Sequence, residues 1–226
     1  MIRRQIFMLE KFILNHQYNF IKKQVEMLKQ NINQNIDNDV LANIREMSLN
    51  KVVSQFSNLN EEQYRLLSEI NKIKTELEFD EYIKRIYDYT KHFPYLSEVK
   101  LRKLFKNVKK LNIPRNIFNE DKPLTYVSWN DLGSFRKFFI YQFNNKIVGF
   151  QSRITLCNKK GYCAFCNSFE ELVLISSNSK HNNQTSYYKA FGHYVCLDSE
   201  RCNKNITDTK QLDEFVRKLY LTRGAR

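Results

Sequence analysis

The sequence predicts an α+β protein: an N-terminal helical bundle over residues 1–90, followed by a mixed α/β domain over residues 91–226. Three observations carry that prediction. Neither Gly nor Pro occurs before Pro94, and apolar residues in that stretch recur at helical spacing. From Leu124 onward the period shortens to that of strands, with turn residues between the runs. Charge divides at the same place: residues 94–226 carry 23 Lys+Arg against 11 Asp+Glu, so nearly all of the net +13 lies in the second part.

The opening MIRRQIFMLEKFIL is basic with a short apolar run, which Glu10 and Lys11 interrupt. It reads as the start of a helix, too short for a span and without a signal-peptide cleavage site. A cytoplasmic, reducing location is therefore expected, with no membrane association. In FIKKQVEMLKQNI, residues Phe20, Ile21, Val25, Leu28 and Ile32 share one side of a helix, and the polar NINQNIDND at about 31–39 reads as a connection. EQYRLLSEINKIKTEL repeats the stripe with Tyr64, Leu67, Ile70 and Ile73, flanked by Leu66 and Leu77. Asn60 and Gln63 supply a capping box at its start.

HFPYLSEVKLRKLFKNVKKLNIPR predicts a helix capped by Ser97, with an apolar stripe of Leu101, Leu104, Phe105, Val108 and Leu111 ending before Pro114. Its other face carries Lys100, Arg102, Lys103, Lys106, Lys109 and Lys110. Such a face is either simply solvated or meets an anionic partner such as ribosomal RNA. YVSWNDL reads as a strand end followed by a short capped turn of helix. KFFIYQF and KIVGFQSRIT flank Asn144-Asn145 as a hairpin. ELVLISS and SYYKAFGHYVC are two more strands, separated by the polar NSKHNNQT. DTKQLDEFVRKLYL closes the chain as a helix with an Asp208/Gln211 capping box and an apolar face of Leu212, Phe215, Val216 and Leu219.

Four of the five cysteines fall in GYCAFC and HYVCLDSERC, as C-x2-C and then C-x5-C. Cys163 and Cys166 suit a metal-binding knuckle, Cys196 ends a strand and Cys202 is expected just before the last helix, whose N-terminal dipole favours a thiolate. Knuckle, hairpin and strand-to-helix junction is the order of a treble-clef zinc finger. Buried free thiols or two disulfides are the alternatives, and a reducing compartment disfavours the second. Four thiolates fill a tetrahedral shell and leave no open position for water or substrate, so one structural Zn2+ is expected. Cys157 is left over, as a small buried hydrophobe or an exposed thiol. A treble-clef nuclease would place a His near the hairpin, as His193 is placed, but it needs further His or Asn ligands on the last helix. DTKQLDEFVRKLY has none. With five glycines, no Gly-rich phosphate loop and no Ser/His/Asp arrangement, the chain reads as a binder and not an enzyme.

HQYNFIKKQVEML, KLRKLFKNVKKLNIP, SWNDLGSFRKFFIY, GYCAFC and YVCLDSERCNKNITD, in this order, resemble the FusB-type fusidic-acid-resistance proteins, a family that binds elongation factor G. The resemblance covers most of residues 16–220. It implies a helical bundle and an α/β domain round a four-cysteine zinc site with ligands Cys163, Cys166, Cys196 and Cys202. It further implies binding of elongation factor G, mainly through the C-terminal domain, and release of the factor from ribosomes on which fusidic acid has trapped it. The implied contact residues are Tyr162, Tyr194 and Phe215, with a hairpin-strand Lys for which Lys189 is the nearest cation and Phe191 the ungapped match. A cytoplasmic monomer is expected. The competing expectations are a ribosome-associated RNA-binding zinc finger, with its phosphate contacts on the basic helix 100–110, and the metal nuclease.

Overall fold

The computed structural model describes residues 9–32, 37–115, 117–118, 122–180 and 188–221. Its contacts divide the chain into Met1–Lys91 and His92–Arg226.

In the first unit, helices α1 (Asn15–Ile32), α2 (Asn38–Val53), α3 (Glu61–Ser68) and α4 (Glu76–Asp88) follow one another, with a 3-10 turn at Glu69–Asn71. The α1 stripe Ile21, Val25 and Leu28 is buried against Leu49 and Val52 of α2, Leu67 and Ile70, and Phe79, Tyr82 and Ile86 of α4. Asn60 and Gln63 form the capping box read from the sequence. The helix it starts is shorter than expected, because Thr75 opens a new one with its own capping box to Glu78. That start signal lay inside an uninterrupted apolar pattern. Its consequence is that Leu77 is exposed, as is Tyr64 at the other end.

Of the opening segment, residues 1–8 lie outside the described part, as do 33–36 in the Asn-rich connection. The described remainder does not extend α1. Phe12 and Ile13 are instead held in extended backbone: both N–H groups donate to the Tyr89 carbonyl, and Lys91 N–H donates to that of Ile13. Ile13 is fully buried there, so hydrophobic burial with strand-like pairing displaces helical propensity.

The second unit is built on one antiparallel sheet in the order β1 (Tyr126–Asp131), β2 (Arg136–Phe143), β3 (Lys146–Tyr162), β4 (Phe169–Lys180) and β5 (Tyr188–Cys196). Asn144 and Asn145 both take positive φ (47° and 59°), the requirement of the two-residue turn whose twist suits a hairpin. A helical turn was expected after β1, but the chain simply reverses. Asp131 Oδ1 accepts from the N–H groups of Gly133 and Ser134, and Phe135 takes φ 51° to enter β2. Asp-x-Gly was the local signal for this turn. The β4–β5 connection, residues 181–187, lies outside the described part.

Alternation along the strands gives the sheet two covered faces. Phe138 and Ile140 join Val127 and Trp129 against Leu101, Phe105 and Leu111. Helix α5 there spans only Glu98–Leu104, capped by Ser97 as expected. The basic segment 100–110 is therefore helical in its first half alone. Phe105 leaves the helical path to sit edge-on to Trp129 and Phe138, with ring centroids at 5.6 and 5.4 Å, and Trp129 Nε1 donates to the Asn112 carbonyl. Aromatic packing against the sheet overrides a periodicity that continued to Leu111. All six cations of the segment are exposed, and Arg102 pairs with Glu98.

This face also needs a glycine. A Cβ at Gly149 would come within 2.7 Å of Leu104 Cβ, so β3 admits α5 only because position 149 has no side chain. Gly149→Ala is expected to destabilise the second unit by about 1–3 kcal/mol, the usual cost of overpacking. A lowered thermal midpoint measured by circular dichroism would show it.

On the opposite face, Phe139, Tyr141, Phe150 and Ile154 meet α6 (Ser199–Asn205), α7 (Lys210–Leu221) and the cysteine cluster. The expected apolar face of α7 is buried: Leu212, Phe215, Val216 and Leu219. Its start differs from the expected capping box. Asp208 accepts from Lys210 N–H, while Thr209 donates its hydroxyl to Asp213.

Candidate metal centre and its aromatic rim

Strands β3 and β4 are joined by the C-x2-C turn, and that turn is built to point two thiols inward. Cys163 N–H donates to the Ser168 carbonyl, Asn167 N–H donates to that of Cys163, and Asn167 takes φ 55° to close the loop. Ala164 N–H donates to the Tyr194 carbonyl, fastening the knuckle to β5 two residues before Cys196. The fourth thiol comes from within α6, a separate short helix and not the approach to the last one as expected, because Asp198 caps it by accepting from the N–H groups of Glu200 and Arg201. Asn203, the residue after Cys202, clamps α6 to the start of β1. Its Oδ1 accepts from Thr125 and Tyr126 N–H, and its Nδ2 donates to the Tyr126 carbonyl. The sequence reading did not single out Asn203; a polar residue adjoining a metal-ligand position was its one signal.

These elements bring the four sulfurs of Cys163, Cys166, Cys196 and Cys202 within 4.8 Å of one another, and all four residues are buried. Cys163 and Cys202 are 3.9 Å apart, and Cys166 and Cys196 are 3.6 Å apart. Four sulfurs tetrahedrally disposed at a zinc–sulfur distance of about 2.3 Å would be spaced by about 3.8 Å. A disulfide requires about 2.0 Å. The donor set and its spacing thus fit a metal ion, and the thiols are free. Hydrogen bonds from Cys166, Cys196 and Cys202 hold the Cys163 thiol far below the ordinary thiol range. The same contacts, in which it serves as a donor, raise Cys202, and burial adds to the rise. The N–H groups of Phe165 and Cys196 also point at Cys163 Sγ, at 3.4 and 3.3 Å. Both N–H groups favour the thiolate form of Cys163, the form in which a cysteine binds a metal.

Around this cluster the surface is aromatic. Tyr162, at the end of β3, is 69% exposed and stands edge-on to its cross-strand neighbour Phe169, which is 59% exposed. Tyr194 is exposed on β5, and Lys159 Nζ lies 5.3 Å from its ring centroid. Lys159 reaches that ring from a break in the β3–β4 register between Leu156 and Lys160, where Asn158 takes φ 48° and Cys157 is half-buried.

The other residues expected at a contact surface are placed differently. Phe215 is fully buried, touching the rings of Phe150, Phe165, Phe191 and His193. Phe191 is half-buried in the same cluster. Lys189 lies in β5 opposite Ser179, and its side chain is outside the described part. His193 packs on Phe215 at 5.6 Å, and its pKa is lowered, chiefly by burial.

A helical unit followed by an antiparallel sheet bearing a buried four-thiol cluster defines a class of two-part α+β protein. Residues 12–94 match the family model described as elongation factor G-binding protein, N-terminal. Among solved structures, the chain is similar to one described as the structure of the fusidic acid resistance protein FusC. The two are 27% identical, the match covers 92% of this chain and 97% of that one, and the TM-score is 0.74. None of the curated protein sequences searched matches the chain. Together the two findings support a likeness to the FusB-type, elongation-factor-G-binding proteins. Among the described residues, no helix is long and apolar enough to cross a membrane.

Proposed function

We propose that this protein binds elongation factor G through the aromatic rim of its four-cysteine site and so protects translation against fusidic acid. The observation that carries the reading is the rim itself. Tyr162 and Phe169 expose adjoining rings at the end of the β3–β4 hairpin, and Tyr194 exposes its ring beside Lys159, all on backbone next to the knuckle. Exposed aromatics on a rigid frame are the residue types that dominate protein–protein affinity, because they bury much area at little entropic cost. The family match and the likeness to a fusidic acid resistance protein supply the partner.

In this reading one Zn2+ held by Cys163, Cys166, Cys196 and Cys202 is structural, and its four thiolate ligands leave no position for catalysis. The second unit, His92–Arg226, makes the contact. Phe191 and Phe215 pack on each other in the core that holds the cysteine cluster, and Lys189, on the same strand as Tyr194, is a further proposed contact. The chain acts in the cytoplasm as a monomer and works by binding alone. Its binding energy favours a state of the factor that leaves the stalled ribosome. The exposed cations of residues 100–110 make secondary contacts with ribosomal RNA.

Isothermal titration calorimetry with purified elongation factor G tests this. A one-to-one complex formed without RNA is expected. Lack of binding to the factor, alongside tight and steeply salt-dependent binding to bare ribosomal RNA, would overturn it in favour of an RNA-binding zinc finger.

A further inference from the structure

Lys137 lies in the middle of β2 and is fully buried, a position in which lysine is almost never found without a compensating charge. By alternation it shares the face of Phe139 and Tyr141, the face that meets α6, α7 and the cysteine cluster. Its ammonium has two acceptors, Asn130 Oδ1 and the Leu197 carbonyl, both at 3.0 Å, and it lies 5.9 Å from the centroid of the Phe139 ring. Both acceptors are neutral. Asn130 completes the triangle by donating its Nδ2 to the same Leu197 carbonyl. Leu197 directly follows the third cysteine and precedes Asp198, the cap of the helix that carries the fourth.

We propose that Lys137 is the buried counter-charge of the four-thiolate metal site, holding the Cys196–Cys202 segment in place and offsetting the negative charge of the loaded site. Four thiolates around a divalent ion leave the centre doubly negative in surroundings with little water. A buried lysine alone is likewise costly, so each charge is tolerable in the presence of the other. Burial pushes the Lys137 pKa down to about 8, and the groups that act against this are Cys202, Cys196, Asp198 and Cys163. The Tyr126 hydroxyl, hydrogen-bonded to Cys202, adds a neutral donor to the same shell. The role of Lys137 is positional and electrostatic; it is not a ligand.

The inference rests on the zinc reading above, and the experiment separates the two. Zinc content and affinity are measured by competition with a chromophoric chelator for the parent, Lys137→Met and Asn130→Asp. Met keeps the length and removes the charge. Asp keeps the shape of Asn and places a carboxylate against the ammonium, so Asn130→Asp remains informative if Lys137→Met does not fold. Both variants are expected to bind zinc about 10–100-fold more weakly, the usual effect of altering the groups just outside a metal's ligands. In cobalt-substituted protein the sulfur-to-metal charge-transfer band should move to longer wavelength. Loss of a neighbouring positive charge raises the sulfur lone pairs in energy, whereas a purely packing role would leave the band where it is. If Asn130→Asp keeps parental affinity within twofold and its cobalt band is unmoved, the inference is overturned. If the parent itself holds no zinc, the metal reading has failed and the inference falls with it.

Discussion

Cys163→Ser will leave the helices of residues 15–88 folded and abolish the cooperative unfolding of the second unit. Cys163 is the sulfur on which the other three thiols and two backbone N–H groups converge, so the variant removes the anchor of the cluster as well as one proposed ligand. A serine hydroxyl is a poor ligand for a thiophilic ion and stays protonated at neutral pH. Structural zinc contributes about 10–16 kcal/mol of apparent binding energy in small zinc-dependent peptides, against a typical domain stability of about 5–15 kcal/mol. Losing most of that would exceed what most domains can spare. The four thiols come from the β3–β4 turn, the end of β5 and α6, so loss of a metal they hold would free α6 and weaken Asn203's grip on β1. The first unit has its own core of Ile21, Leu28, Leu67 and Ile86 and contributes no ligand. Differential scanning calorimetry with metal analysis checks this. The expectation is one transition lost and about one zinc per chain lost with it. Parental melting by a metal-free Cys163→Ser protein would show that the thiols are only core residues.

The sequence made some of this arrangement legible and hid the rest, for physical reasons. The hairpin at Asn144-Asn145, the Asn60/Gln63 capping box and the apolar face of α7 are local events written in adjacent residues, and each forms as read. The four cysteines were legible because a metal site demands particular ligands at particular spacing. Lengths of α3 and α5 were not, because an apolar stripe continues past both ends while tertiary packing decides where each helix stops. For α5 the deciding contact is Phe105 with Trp129 and Phe138, which lie on strands far along the chain. Exposure was equally hidden. Tyr162, Tyr194 and Phe215 are all aromatic residues close in sequence to a ligand or an apolar stripe, yet two face solvent and one sits in the core. Lys137 gave no sign at all, since a single lysine among β2 aromatics reads as an outward-facing residue until the opposite side of the sheet is also covered.

That difference in exposure sets up the second large effect. Replacing Tyr162 and Tyr194 together by Ala should weaken binding of elongation factor G by about 100-fold or more while leaving the melting curve of the protein nearly unchanged. Each ring is of the kind whose truncation costs about 2 kcal/mol at the centre of an interface, or about 30-fold in affinity, and neighbouring sites of this kind are seldom fully additive. Stability should be spared because neither side chain belongs to the buried core, and the Tyr194 carbonyl that fastens Ala164 is backbone, which the substitution retains. Phe215→Ala gives the contrasting control. It removes a fully buried ring from a cluster with Phe150, Phe165 and Phe191, so it should cost about 3–5 kcal/mol of stability. Any loss of binding in that variant should track its loss of fold and recover as the temperature is lowered below its melting range. Measuring affinity and melting on the same preparations distinguishes the two kinds of residue. If the double tyrosine variant binds as the parent does while Phe215→Ala loses binding below its melting range, the rim is not the contact surface and the partner must engage the chain elsewhere.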